Sequence, residues 1–219
     1  VPFTAAELAA GVHREQVGGL WEELGELQLA FLVRQGLQPS MRLLDLGCGS
    51  LRAGVRLVEY LAPGNYYGID SRASLLAAGY DFELAARGLQ PRLPPGNLLH
   101  DASFAVHRFG VRFHVAIAIS LFTHLPETRV RSCLAALARV MEPAGVLYAT
   151  FFACPPRHRS GEPLVHEPGG ITTYDDRDPY HYRQRDLAAC AEGLPWRAEP
   201  LGDWGHPRGQ QMMRFAISG

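Results

Sequence analysis

Short apolar runs alternate with helix-like periods through most of this chain. The first run ends in a glycine turn, Leu43-Leu-Asp-Leu-Gly-Cys-Gly-Ser-Leu-Arg52. Alternation limits the possible folds sharply. Each strand of a parallel ladder needs a right-handed crossover, and the crossover helices cover both faces of the sheet. Strands are expected at 41–46, 66–70, 98–101, 113–120 and 146–152, and helices at 52–61, 73–87 and 127–141. Helical segments precede them over 4–35. Thr4 and Glu7 form a capping-box pattern there, and Gly18-Gly19 breaks the run in two. A helix over 185–192 and a pair of strands at 196–201 and 211–217 close the chain. The expected fold is α/β, a doubly wound, seven-stranded sheet. It is mostly parallel with an antiparallel last strand, and helices lie on both faces. Residues 1–219 read as one domain, with 1–38 as a helical lid and 154–183 as a loop insertion without a clear period.

All 21 basic residues are Arg, and Lys is absent. Schiff-base chemistry and a phosphate loop ending in G-K-[ST] are therefore excluded. Anions must be held by guanidinium groups, helix N-termini or backbone N–H groups. Arg52 and Arg208 stand apart by their positions; the other 19 of the 21 read as solvated surface. A net charge of −1 gives no footprint for nucleic acid or an anionic membrane. The longest apolar run, Val115–Phe122, suits a buried strand rather than a bilayer span. Four widely spaced Cys without a C-x-x-C pair fit a reduced, cytoplasmic protein.

Gly47 and Gly49 allow a sharp turn and close approach to a ligand. The third glycine of the dinucleotide fingerprint is replaced by Arg52, which disfavours a nicotinamide-dependent dehydrogenase. Asp70 ends the second strand, where a carboxylate can accept both ribose hydroxyls, and Asp101 ends the third, within reach of an adenine amino group. Acids at successive strand ends suit a nucleoside lying across the edge of a sheet.

Here the chain resembles the class I S-adenosylmethionine-dependent methyltransferases, over roughly residues 41–153 and on through the closing strands. Leu44-Asp-Leu-Gly-Cys-Gly matches the signature glycine loop, and Asp70 and Asp101 match the ribose and adenine acids. Ile119-Ser-Leu-Phe-Thr-His-Leu-Pro126 resembles the segment after the fourth strand in many small-molecule enzymes. Gly49-Ser-Leu-Arg, with Gln28, Phe31 and Gly36-Leu before it, resembles a bacterial subgroup assigned to sugar or secondary-metabolite methylation. The resemblance implies a Rossmann-like fold and S-adenosylmethionine as cofactor, with S-adenosylhomocysteine as product. Its cofactor contacts would fall on Asp45, Gly47, Cys48, Gly49, Arg52, Asp70, Ser71, Asp101, Ala102 and Ser120. Arg52 and loop N–H groups would meet the methionyl carboxylate. Asp45 would orient the amino group or brace the turn. Trp21 and Gln28, on the lid, would contact the nucleoside or else serve packing and a solvated face.

The acceptor is expected to be a small molecule methylated on oxygen, by a monomer or homodimer. A protein acceptor, or a non-catalytic partner subunit of the same fold, is the alternative. A base is needed when the acceptor is a hydroxyl. His124, His181 and His206 are the candidates, and Tyr180, Tyr182 and Arg208 would bind the acceptor. Cys154, His158 and His166 have metal-ligand chemistry, but their spacing is irregular and lacks a fourth ligand, so no metal is assigned.

Overall fold

The computed structural model describes residues 2–218. Two compact units make up the chain, Val1–Ala105 and Val106–Gly219.

The first unit opens with three helices, α1 (Ala5–Ala9), α2 (Val12–Glu15) and α3 (Trp21–Arg34). The capping box forms as expected: the Thr4 hydroxyl accepts from the Glu7 amide at 3.2 Å, and the Glu7 carboxylate accepts from the Thr4 amide at 2.7 Å. Gly11, at φ +75°, adds a break that the sequence reading did not anticipate. α3 buries Trp21, Leu24, Gln28, Phe31 and Leu32, so Gln28 lies inside rather than on a solvated face. Then follow β1 (Leu43–Leu46), α4 (Gly54–Tyr60), β2 (Tyr66–Asp70), α5 (Ala73–Ala77) and β3 (Leu98–His100). The strands are parallel in the order β3-β2-β1, and all four residues of β1 are buried.

The expected helix over 73–87 is α-helical only to Ala77. It continues as a π-helix over Ala78–Leu84 and a 3₁₀ turn over Ala85–Arg87. A Cβ on Gly79 would stand 2.6 Å from Leu51 and 2.9 Å from the Ser50 carbonyl group, so the π segment presses bare backbone against the residues that follow the glycine loop. The apolar period of the sequence carries no trace of an i→i+5 ladder.

The second unit contains β4 (Phe113–Ala118), α6 (Glu127–Ala138) and β5 (Met141–Ala153), then β6 (Leu164–His166), β7 (Ile171–Thr173) and β8 (His181–Tyr182). It ends with α7 (Gln184–Ala189), β9 (Trp196–Asp203) and β10 (Gln211–Ile217). β4 and β5 are parallel, β10 is antiparallel to β5, and β9 is antiparallel to β10. The seven expected strands are thus three in the first unit and four in the second. β8 is an addition, lying parallel to the end of β5 with Phe152 opposite His181.

α6 stops three residues earlier than expected, because Met141 already pairs with Phe113. Segment 154–183, expected to be structureless, holds the antiparallel β6–β7 pair as well as β8. These strands span only two or three residues, too few to show alternation in a sequence. No helix among the described residues is long and apolar enough to cross a membrane. All four Cys are free thiols.

Candidate active site

β1 runs into the glycine loop with Gly47 and Gly49 at φ +69° and +55°, a region that only glycine enters freely. The Gly47 and Cys48 amides donate to the Ile69 carbonyl at 2.8 and 3.2 Å, and the Gly49 amide donates to Asp70 Oδ2 at 2.8 Å. These three amides, expected to face a ligand, are therefore spent on β2. The loop offers a ligand its close approach rather than those donors. Cys48 turns its side chain inward: a Cβ on Gly68 would sit 2.8 Å from its sulfur, and burial pushes its thiol well up.

Asp70 is buried at the tip of β2. Its Oδ1 accepts from the Arg72 amide at 2.8 Å. An ionised carboxylate has about four acceptor positions, so Asp70 keeps capacity for a vicinal diol after binding both amides. Asp45 is different. Its Oδ2 accepts from the Tyr66 hydroxyl at 2.8 Å, and burial raises it to about 7, against the opposing pull of Tyr66 and Arg52. Asp45 braces β1 on β2.

Arg52 donates from Nη1 to the carbonyls of Val17 (2.8 Å) and Gly19 (3.1 Å), anchoring the α2–α3 connection. Asp101 closes a local turn, accepting from the Ser103 and Ala105 amides at 2.7 and 3.0 Å. Ser71 and Ala102 are exposed beside these acids, and the Ser71 carbonyl accepts from His100 at 3.0 Å.

In the second unit, β4 is followed by Ser120 in a left-handed conformation, φ +58°. Its amide donates to Thr150 Oγ1 at 2.7 Å and its hydroxyl to Gln210 Oε1 at 3.1 Å. Strain of this kind, about 1–3 kcal/mol, persists where the surroundings enforce it.

His124 ends the next turn, and its Nδ1 lies 2.6 Å from Asp178 Oδ1; both side chains are more than half exposed. The Tyr180 amide donates to the Thr123 carbonyl at 2.7 Å, and the Tyr182 hydroxyl donates to the Leu125 carbonyl. The 178–182 segment is thereby sewn to the turn that carries His124. Asp178 escaped the sequence reading as a partner, because 54 residues separate it from His124.

His181 and His206 are both buried. His181 Nδ1 is 2.9 Å from Thr173 Oγ1, and burial lowers its proton affinity. His206 accepts the Arg208 amide at 3.1 Å, which fixes the turn before β10. His124, His181 and His206 thus have different partners: Asp178, Thr173 and the Arg208 amide. Cys154, His158 and His181 do come together, with ligand atoms within 4.8 Å of one another; His166, grouped with the first two from sequence, is not of that set.

Residues 44–147 match the methyltransferase domain family. The magnesium protoporphyrin IX methyltransferase of Synechocystis, solved with bound S-adenosylmethionine, is similar over 89% of this chain and 81% of its own. Its identity is 15% and its TM-score 0.61. The CcbJ methyltransferase of Streptomyces caelestis aligns over 89% and 90%, at 14% identity and TM-score 0.67. An S-adenosylmethionine-dependent methyltransferase of Clostridium acetobutylicum aligns over 99% and 100%, at 11% identity and TM-score 0.64. The strand–glycine-loop–helix segment thus matches the methyltransferase domain family, and the fold of the chain is similar to that of S-adenosylmethionine-dependent methyltransferases of known structure.

Proposed function

We propose that this enzyme transfers the methyl group of S-adenosylmethionine to a hydroxyl of a small molecule, releasing S-adenosylhomocysteine. The buried Asp70 carboxylate beside the glycine loop suits the ribose diol. Bound S-adenosylmethionine supplies an electrophilic methyl on a sulfonium. The chain's own residues hold the nucleoside, orient the acceptor and take its proton.

The His124–Asp178 pair carries the assignment to oxygen. A neutral acceptor hydroxyl attacks poorly until a base removes its proton. The Nδ1–H of His124 donates to Asp178, which fixes the tautomer and leaves Nε2 with a lone pair for that proton. Holding the acceptor within reach of the methyl supplies much of the remaining acceleration. The net charge of −1 and the four free Cys support a cytoplasmic enzyme without nucleic-acid or membrane partners; a monomer or homodimer is part of the same proposal.

In a panel assay of small phenolic and sugar hydroxyls with labelled cofactor, His124→Ala is expected to lower kcat about 10²- to 10³-fold. Asp178→Asn is expected to lower it less, and neither should change S-adenosylhomocysteine affinity. Wild-type turnover in His124→Ala would remove the base from this residue.

A further inference from the structure

A cavity of about 420 Å³ in the second unit contains groups that the methyl-transfer reading does not use. Cys154, His158 and His181 all line it, and their ligand atoms lie within 4.8 Å of one another. We propose that these three side chains form a binding site for a zinc-class divalent ion, with a fourth position open to the cavity.

Three independent features support this site. The backbone holds the ligands in place. The Cys154 amide donates to the Tyr182 carbonyl at 2.8 Å, where β8 lies along the end of β5, so the thiol and the His181 ring leave adjacent strands. His158 sits one turn on from Cys154; its amide donates to the Pro155 carbonyl at 3.0 Å, and Arg183 Nη2 donates to its carbonyl at 2.9 Å.

The ring nitrogens are also assigned. His158 Nε2 lies 2.8 Å from the Glu162 carbonyl, which can only accept, so that nitrogen carries the proton and Nδ1 keeps its lone pair. The Thr173 hydroxyl donates to the Leu164 carbonyl at 3.4 Å, so it accepts from His166 Nε2–H at 2.8 Å and from His181 Nδ1–H at 2.9 Å. His181 Nε2 is left with its lone pair. Each imidazole thus donates its other N–H to a protein oxygen, as metal-bound histidines do.

The ring geometry agrees as well. Metal–nitrogen bonds of ~2.0–2.1 Å at tetrahedral angles place two imidazole centroids roughly 5 Å apart. The His158 and His181 centroids are 5.3 Å apart, with the planes at 89°. Ligand atoms around such an ion are roughly 3.3–3.6 Å apart, so side-chain adjustments of about an ångström close the set. Binding displaces the Cys154 thiol proton to solvent and leaves a thiolate on the metal. Two imidazoles and one thiolate suit Zn²⁺ better than Mg²⁺ or Ca²⁺, which prefer oxygen. Three protein ligands with one open position also mark a site with an exchangeable fourth ligand.

The test uses the whole chain, equilibrated with Zn²⁺, freed of excess and analysed for metal, with circular dichroism confirming the fold. The wild type is expected to retain one Zn²⁺ per chain, and Cys154→Ser and His181→Gln to lose it. His166→Gln should retain it, and Thr173→Val should weaken it roughly 10- to 100-fold. Cobalt in place of zinc is expected to give a thiolate charge-transfer band in the wild type but not in folded Cys154→Ser. A folded wild type without zinc would overturn the proposal, as would zinc retained by both Cys154→Ser and His181→Gln.

Discussion

Asp45 and Asp70 are both carboxylates at strand ends near one glycine loop, yet they do different work. Asp70 accepts two backbone amides and keeps acceptor capacity, whereas Asp45 is sealed against Tyr66. Burial raises Asp45 to about 7, against about 3.9 in an unfolded chain. Between those values the unfolded chain releases a proton that the folded chain retains. Folding stability from this group therefore falls as pH rises from about 4 to 7, and the cost is complete above 7. Asp45→Asn keeps an oxygen acceptor for Tyr66 and removes that cost. In urea unfolding, the stability of the variant relative to wild type is expected to climb across this range and then level off. A difference independent of pH would mean that Asp45 is ionised throughout. At the same scale, the two glycines and Asp70 were legible because backbone freedom and a strand-tip acid are local signals. Asp178 was not legible, because its partnership with His124 exists only once two distant turns meet.

At the scale of elements, the N-terminal helices are tied to the π-helix through Glu83. This buried carboxylate accepts from Arg14 Nε at 2.6 Å and Arg87 Nη1 at 2.8 Å, and it lies 2.6 Å from His13 Nε2. Burial alone would raise Glu83. The hydrogen bonds from Arg14, His13 and Arg87 outweigh it, and its pKa is lowered. Its stabilising contribution is therefore present above the usual Glu range and is lost as pH falls below it. Glu83→Gln is expected to cost about 2 kcal/mol. A fully sealed ion pair would cost more, ~3–5 kcal/mol, but the Arg14 and Arg87 side chains are about one-third exposed and can return to water. Chemical denaturation measures this, and a loss below ~0.5 kcal/mol would show that the network adds little. The helix–strand alternation predicted most of the elements. It missed the π register of 78–84 and the short β6, β7 and β8, since none of these has a length or period that side-chain pattern can reveal. Strand β8 also explains why His181, not His166, joins Cys154 and His158. It lies along the end of β5, whereas His166 lies beyond Thr173 on the β6–β7 pair.

Across the whole molecule, the absence of Lys has a structural side that composition alone did not reveal. Several Arg expected on the surface also donate to main-chain carbonyls. Arg92 reaches those of Val58, Glu59 and Leu61 at the end of α4, and Arg131 reaches those of Cys190 and Glu192. Arg52 does the same at 17 and 19. A guanidinium fork can serve two or three carbonyls at fixed angles, which a single ammonium does less well. None of this interferes with the proposed methyl transfer, which needs no amine nucleophile and no grip on a phosphate. The central claim is that the chain binds the nucleoside cofactor through the glycine loop and Asp70. Calorimetric titration with S-adenosylhomocysteine tests it most directly, on the wild type and on Asp70→Ala. The expected result is one site per wild-type chain and an affinity loss of roughly 10- to 100-fold in the variant, the equivalent of one or two hydrogen bonds to a charged group. No heat of binding in the folded wild type, or equal affinity in the two proteins, would contradict the account.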